Sequence, residues 1–121
     1  MPAQSPEQCD ALFAAHLNSG NLEGLVALYE PNALWVQQRD PDARGTAAIR
    51  QRLAAFVAIR PAFTSKVTKL IQTDENLALL YTDWSVTASG TTLSGKGLQI
   101  VRRQPDGTWL IAVDDPFGRI A

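Results

Sequence analysis

From Phe63 to Asp115 apolar residues recur at every second position, and the alternation breaks where turn residues cluster, at Thr73-Asp74-Glu75-Asn76, Ala88-Ser89-Gly90 and Pro105-Asp106-Gly107. A period of two marks strands covered on one face. The pattern predicts four of them, at 64–72, 77–87, 92–104 and 108–115, joined by turns too short for anything but antiparallel hairpins. The first sixty residues keep a different period. Ser5-Pro6-Glu7-Gln8 has a capping residue, a proline for the first helical position and a glutamine three residues after the cap. Cys9, Leu12, Phe13, His16 and Leu17 continue at helical spacing, and Gly20 supplies a left-handed end. Asn21 caps a second predicted helix through Leu22, Leu25, Val26 and Tyr29, with Pro31 beyond it. Ala33 to Gln37 is a short strand candidate. The charged, proline- and glycine-containing run from Arg39 to Gly45 reads as a loop. Thr46 then caps a third helix whose buried stripe is Ile49, Leu53, Phe56 and Val57, until Pro61 stops it.

The predicted order is ααβαββββ across residues 1–121, read as one domain. Helices first and a long meander last imply an α+β fold: three helices packed on one face of a strongly curved, mostly antiparallel sheet, with a pocket between the layers. The opposite sheet face is then assigned Leu77, Leu79, Trp109, Ile111 and Val113. An apolar outer face needs a cover, so a homodimer through that face is expected.

Composition changes this picture mainly by exclusion. The chain is 45% hydrophobic and 19% charged with a formal net charge of -1, values ordinary for a globular domain. Eleven basic and twelve acidic residues are interspersed, leaving no basic stripe for a nucleic acid. No apolar run approaches the ~20 residues that cross a bilayer, and no leader pattern is present, so the expectation is a cytoplasmic protein with no membrane partner. Cys9 is the lone cysteine, which excludes an intrachain disulfide. No histidine pair or carboxylate cluster has ligand spacing, so neither a metal nor a cofactor is expected. Ser94-Gly95-Lys96-Gly97 opens no helix, which argues against a phosphate cradle and for a bulge or bend.

Several segments carry a resemblance: Leu17-Asn18-Ser19-Gly20-Asn21-Leu22-Glu23-Gly24-Leu25, Tyr29-Glu30-Pro31-Asn32-Ala33, Arg44-Gly45-Thr46-Ala47-Ala48-Ile49-Arg50, Asp106-Gly107-Thr108-Trp109 and Pro116-Phe117-Gly118. Over nearly its whole length the chain resembles the nuclear transport factor 2-like superfamily, in its SnoaL-like and ketosteroid-isomerase-like branch. The resemblance implies a cone-shaped fold. It does not imply one reaction, because the fold hosts isomerases, dehydratases, cyclases, epoxide hydrolases and association domains. The steroid-isomerase constellation transfers poorly. The oxyanion-hole tyrosine falls on Phe13, the general-base aspartate on Gln37, and the protonated acid on or next to Gln99. A glutamine cannot take a proton near neutrality, so that mechanism is not expected.

The same placement, with strand alternation, draws the cavity. Trp35 turns inward with Gln37. Leu80, Thr82, Trp84 and Val86 share a face, and on the last strand the inward set is Leu110, Ala112 and Asp114. Asp114 and Asp115 must point opposite ways, Asp114 to the cavity and Asp115 outward, where it would pair with Arg119 or cap the turn into Pro116. A carboxyl among aromatics has its pKa raised by desolvation, as a catalytic acid or base requires. The structural alternative is an Asp114 that hydrogen-bonds a neighbouring backbone N–H or ties down the Pro116-Phe117-Gly118 tail. His16, near Phe13 on the first helix, is the candidate proton relay. Candidate ligand contacts are Phe13, Trp35, Gln37, Leu80, Trp84, Gln99 and Ala112. Two functions fit: cofactor-free acid-base chemistry on a small apolar or amphipathic molecule, or a non-catalytic dimeric ligand-sensing or association module.

Overall fold

The structure, a computed structural model, describes residues 2–119. Its elements are α1 (Pro6–Ser19), α2 (Leu22–Val26), β1 (Tyr29–Trp35), β2 (Ala43–Arg44), α3 (Gly45–Ala58), β3 (Ala62–Asp74), β4 (Leu77–Ala88), β5 (Thr91–Arg103) and β6 (Trp109–Asp115). They form one six-stranded sheet in the order β2-β1-β6-β5-β4-β3 with three helices against it, the expected α+β cone with the short β2 added. All neighbours are antiparallel except β1 and β6, which run parallel.

Local chemistry explains most boundaries. Gly20 adopts φ 73°, and its N–H and that of Asn21 return to the last carbonyls of α1. Asn21 Oδ1 accepts from Gly24 N at 2.9 Å, capping α2 as expected. Two caps differ. Ser5 makes no side-chain cap, and Gln8 Oε1 instead accepts from Gln4 N at 2.7 Å. Thr46 lies inside α3, whose N-cap is Arg44. The second helix also ends three residues early, at Val26, and Tyr29 opens β1. Five residues make a helix too weak to override the pairing offered by β6, where Ile111 N donates to Leu28 O at 2.7 Å.

The helices and the concave sheet face share one core, including Cys9, Leu25, Ile49, Leu53, Leu80, Val101 and Ile111. Cys9 Sγ donates to Trp109 O at 3.6 Å, and burial pushes its thiol up to about 12, so it is a packing group. The last strand corrects the expected parity. Ile100 pairs with Val113 but Val101 pairs with Ile111, which leaves Ala112 as an extra residue on β6. This bulge reverses the alternation, as a one-residue insertion must. Trp109 and Ile111, assigned from sequence to the outer face, are therefore buried in the core, on the same side as Asp114. Leu110 and Val113 are only half-buried.

The glycine-rich stretch on β5 is also corrected. Registers between β4 and β5 run unbroken from Leu77↔Arg102 to Ala88↔Thr91, so no bulge exists there. Gly95 stands opposite Trp84, and a Cβ on it would run into the indole ring. At Gly97 a Cβ would come within 2.8 Å of Thr82 Oγ1. These glycines admit close neighbours rather than bend the strand. Gly95→Ala is expected to cost about 2 kcal/mol or more by overpacking Trp84, read as a lower midpoint in urea unfolding. An unchanged midpoint would contradict this packing.

Candidate functional site

A cavity of about 330 Å³ opens between α1, α3 and the concave sheet face. Its walls are mainly aromatic. Phe13 meets Phe63 edge-on at 5.5 Å, Phe63 stacks near Trp84 at 6.3 Å, Trp84 meets Phe117 at 5.2 Å, and Trp35 stacks on Phe56 at 6.2 Å. Trp84 is fixed further by its indole N–H, which donates to Pro116 O at 2.7 Å. Aromatic walls with a few polar groups are the usual composition of a small-molecule site.

Asp114 lies in this wall, 7% exposed, at the end of β6 between Trp35 on β1 and Gln99 on β5. Its Oδ2 accepts from the Tyr29 hydroxyl at 2.7 Å. Among the described residues no backbone donor hydrogen-bonds the carboxyl. Burial pushes the Asp114 carboxyl up to about 7, with the Tyr29 bond opposing the rise and the charges of Asp10 and Asp115 adding to it. The Tyr29 phenol is held well above its ordinary value, chiefly by burial and then by the charge of Asp114, so it serves as a donor.

A second carboxylate shares the cavity. Asp10, on α1, is 4% exposed and accepts from Ser65 Oγ at 2.9 Å. Burial raises its pKa, and the Ser65 hydrogen bond opposes this. Sequence reasoning passed over it. Its signal was its position three residues before Phe13 and seven before Leu17, on one inward helical stripe. Tyr29 was missed because it had been placed in a helix, and Ser65 because no neighbour in sequence hints at Asp10.

The other predicted residues divide. Phe13, Trp35, Gln37, Trp84 and Gln99 line the cavity. Leu80 and Ala112 do not; Leu80 is fully buried in the core, and Ala112 is the bulged residue. His16 is also outside the cavity. Asp10, Phe13 and Leu17 occupy the inward stripe, and the His16 ring sits at the α1–α2 corner with Nδ1 3.3 Å from Asn21 Nδ2. Gln37 is engaged at the mouth, its amide oxygen accepting from Arg52 Nε at 2.8 Å in the orientation that satisfies both groups. Gln99, directly opposite Asp114, is 5% exposed, and its Oε1 is buried without a partner among the described residues. Asp115 does not pair with Arg119, which instead donates to Asp83 Oδ1 at 2.9 Å and lies over the Tyr81 ring. Among the described residues no cluster of His, Cys, Asp and Glu has the makings of a metal site. No helix there is long and apolar enough to cross a membrane.

Residues 10–121 match the SnoaL-like domain family over nearly the whole chain. The chain belongs to that family. Solved structures similar to this SnoaL-like domain include a ketosteroid isomerase-like protein from Erwinia carotovora atroseptica, 15% identical, TM-score 0.75, covering 89% of this chain and 88% of the other. An NTF-2 like protein of unknown function from Shewanella oneidensis is 16% identical with a TM-score of 0.74, covering 88% and 91%. A candidate dehydratase of the NTF2-like family from Streptomyces avermitilis is 14% identical with a TM-score of 0.74, covering 94% of each chain. At such identities the likeness is one of fold. No curated protein matches the sequence.

The raised Asp114 pKa has a stability consequence of definite sign. Between its unfolded value near 3.8 and its folded value of about 7 the native state holds the extra proton, so the contribution is full below the lower value. It is lost as pH rises through about 7. Urea unfolding of the SnoaL-like domain is expected to show stability falling between about pH 4 and about pH 7, by on the order of 4 kcal/mol at most, with Asp114→Asn flattening that slope. Tyr29→Phe should raise the Asp114 pKa further in a carboxyl-carbon NMR titration; a fall would contradict the assigned hydrogen bond.

Proposed function

We propose that this SnoaL-like domain binds a small apolar or amphipathic molecule in the cavity and moves a proton on it without a cofactor, in a reaction of the isomerase, dehydratase or cyclase kind. The observation that carries the reading is Asp114: a buried carboxyl in an aromatic cavity, oriented by one phenol, with a pKa of about 7. A group poised there exchanges protons in either direction near neutrality. Asp114 is the acid or base, Tyr29 its positioning residue, and Gln99 the group that orients a polar substituent. Phe13, Trp35 and Trp84 hold the apolar body. Asp10 replaces His16 as the second titratable group. Gln37, held by Arg52, shapes the mouth.

The domain acts as a homodimer through the outer sheet face. Support comes from a cross-strand row, Ile71, Leu79, Ile100, Val113 and Leu34, which runs over five paired strands opposite the helices and is half-exposed along its length. The same row supports a second reading, an association module whose cavity senses a ligand without turning it over.

The two readings separate on one variant. Asp114→Asn is expected to preserve fold and dimer while lowering turnover of a substrate found by metabolite screening about a hundredfold or more. Unchanged turnover would sink the catalytic reading, and a screen giving ligands but no product favours the sensing module. For the dimer, light scattering should give twice the chain mass, and Ile100→Lys should shift it to the monomer. A wild-type monomer at high concentration would refute the interface.

A further inference from the structure

The cavity contains two buried carboxyl groups, and among the described residues no cation pairs with either. Asp10 and Asp114 are each more than nine-tenths buried, and among the described residues neither forms an ion pair. The basic side chain in the lining, Arg39, is exposed at the mouth beside Asp40. Three donors in or behind the wall are already spent inside the protein: Tyr29 on Asp114, Ser65 on Asp10, and the Trp84 indole on Pro116 O. The unspent polar groups of the lining are then the two carboxyls, the Gln99 amide, the Thr82 hydroxyl and the Trp35 indole N–H. Gln99 Oε1, enclosed and across one strand pair from Asp114, has no partner among the described residues. A buried carboxyl with no cation beside it is costly to ionise unless a ligand supplies the charge.

Around these groups stand aromatic faces. Phe13, Phe63, Trp84 and Phe117 form a continuous series of ring contacts, and Trp35 with Phe56 forms a separate stack. Rings attract a cation through their quadrupole, most strongly where water is excluded. Unpaired carboxyls and aromatic faces favour the same ligand chemistry.

We infer that the cavity is selective for an organic ammonium, an apolar molecule carrying a protonated primary or secondary amine whose N–H groups reach Gln99 Oε1 and the Asp114 and Asp10 carboxylates. The inference rests on the reading of this cavity as the ligand site and names the substrate class that site takes. An ammonium provides two or three donors and a positive charge. A hydroxyl provides one donor and no charge. A carbonyl provides neither. Thr82 Oγ1 and Trp35 Nε1 also lack protein partners among the described residues and offer donors to a carbonyl, but a carbonyl there leaves both carboxyls uncompensated.

Aminotetralin, tetralol and tetralone share one apolar body and differ at the head group, and their affinities for the wild-type chain near neutral pH test the inference by isothermal titration calorimetry. The amine is expected to bind about tenfold or more tighter than the ketone, with the alcohol between them. Gln99→Leu should narrow the amine's advantage several-fold, with circular dichroism and thermal unfolding showing that the fold is kept; if that variant does not fold, the wild-type series decides alone. Ketone binding as tight as the amine, or the alcohol binding tightest, overturns the inference and leaves the cavity reading standing. If none of the three binds, the cavity reading falls and this inference falls with it.

Discussion

The structure turns on the way β6 is held. It lies between β5, antiparallel, and β1, parallel, and it carries one residue more than β5 can pair. That extra residue, Ala112, lets one short strand do two things that a regular alternation forbids. Trp109 and Ile111 seal the core beneath the helices, and Asp114 still arrives at the cavity with Trp35 on one side and Gln99 on the other. Without the bulge, a strand that buried Trp109 and Ile111 would turn Asp114 to the outer face. Core and site thus depend on the same local irregularity, a common place for a bulge to be found.

Much of the fold is written in periodicity. The four meander strands begin and end within about two residues of their predicted limits, because three hairpin turns and a long run of alternation leave little freedom. The Gly20–Asn21 corner is equally legible, since each residue has a backbone reason to be there. Legibility fails where tertiary pairing outweighs local preference. Tyr29 continues a helical pattern, yet a five-residue helix gains less than a backbone ladder with β6. The Ala112 bulge leaves no mark in composition, and it reversed the expected sides of Trp109 and Ile111. Gly95 and Gly97 looked like a bend because their true reason, the indole and hydroxyl lying against them, sits on another strand.

The site was half legible for the same reason. Parity alone brought Asp114 to the cavity, and it did so because an unseen bulge offset the wrong side given to Trp109. The family resemblance led to Phe13, Trp35, Gln37 and Gln99, all in the wall. Asp10 and Ser65, 55 residues apart, meet only because α1 crosses β3. A short polar side chain within an apolar helical stripe is a weak mark in sequence; here it denotes a buried carboxyl. Two such groups in one apolar cavity oppose folding near neutrality, and stability surrendered in this way is characteristic of functional sites.

The bond between Tyr29 and Asp114 spans 85 residues of chain. The parallel pairing of β1 with β6 that frames it closes a long loop, at an entropic cost that local hairpins do not carry. The β3–β5 meander, whose strands pair with their sequence neighbours, carries no such cost. The wall around Asp114 thus joins two distant parts of the chain, and its geometry depends on how the last strand seats between β5 and β1. The Tyr29–Asp114 hydrogen bond is therefore a local reporter of whether that strand is seated.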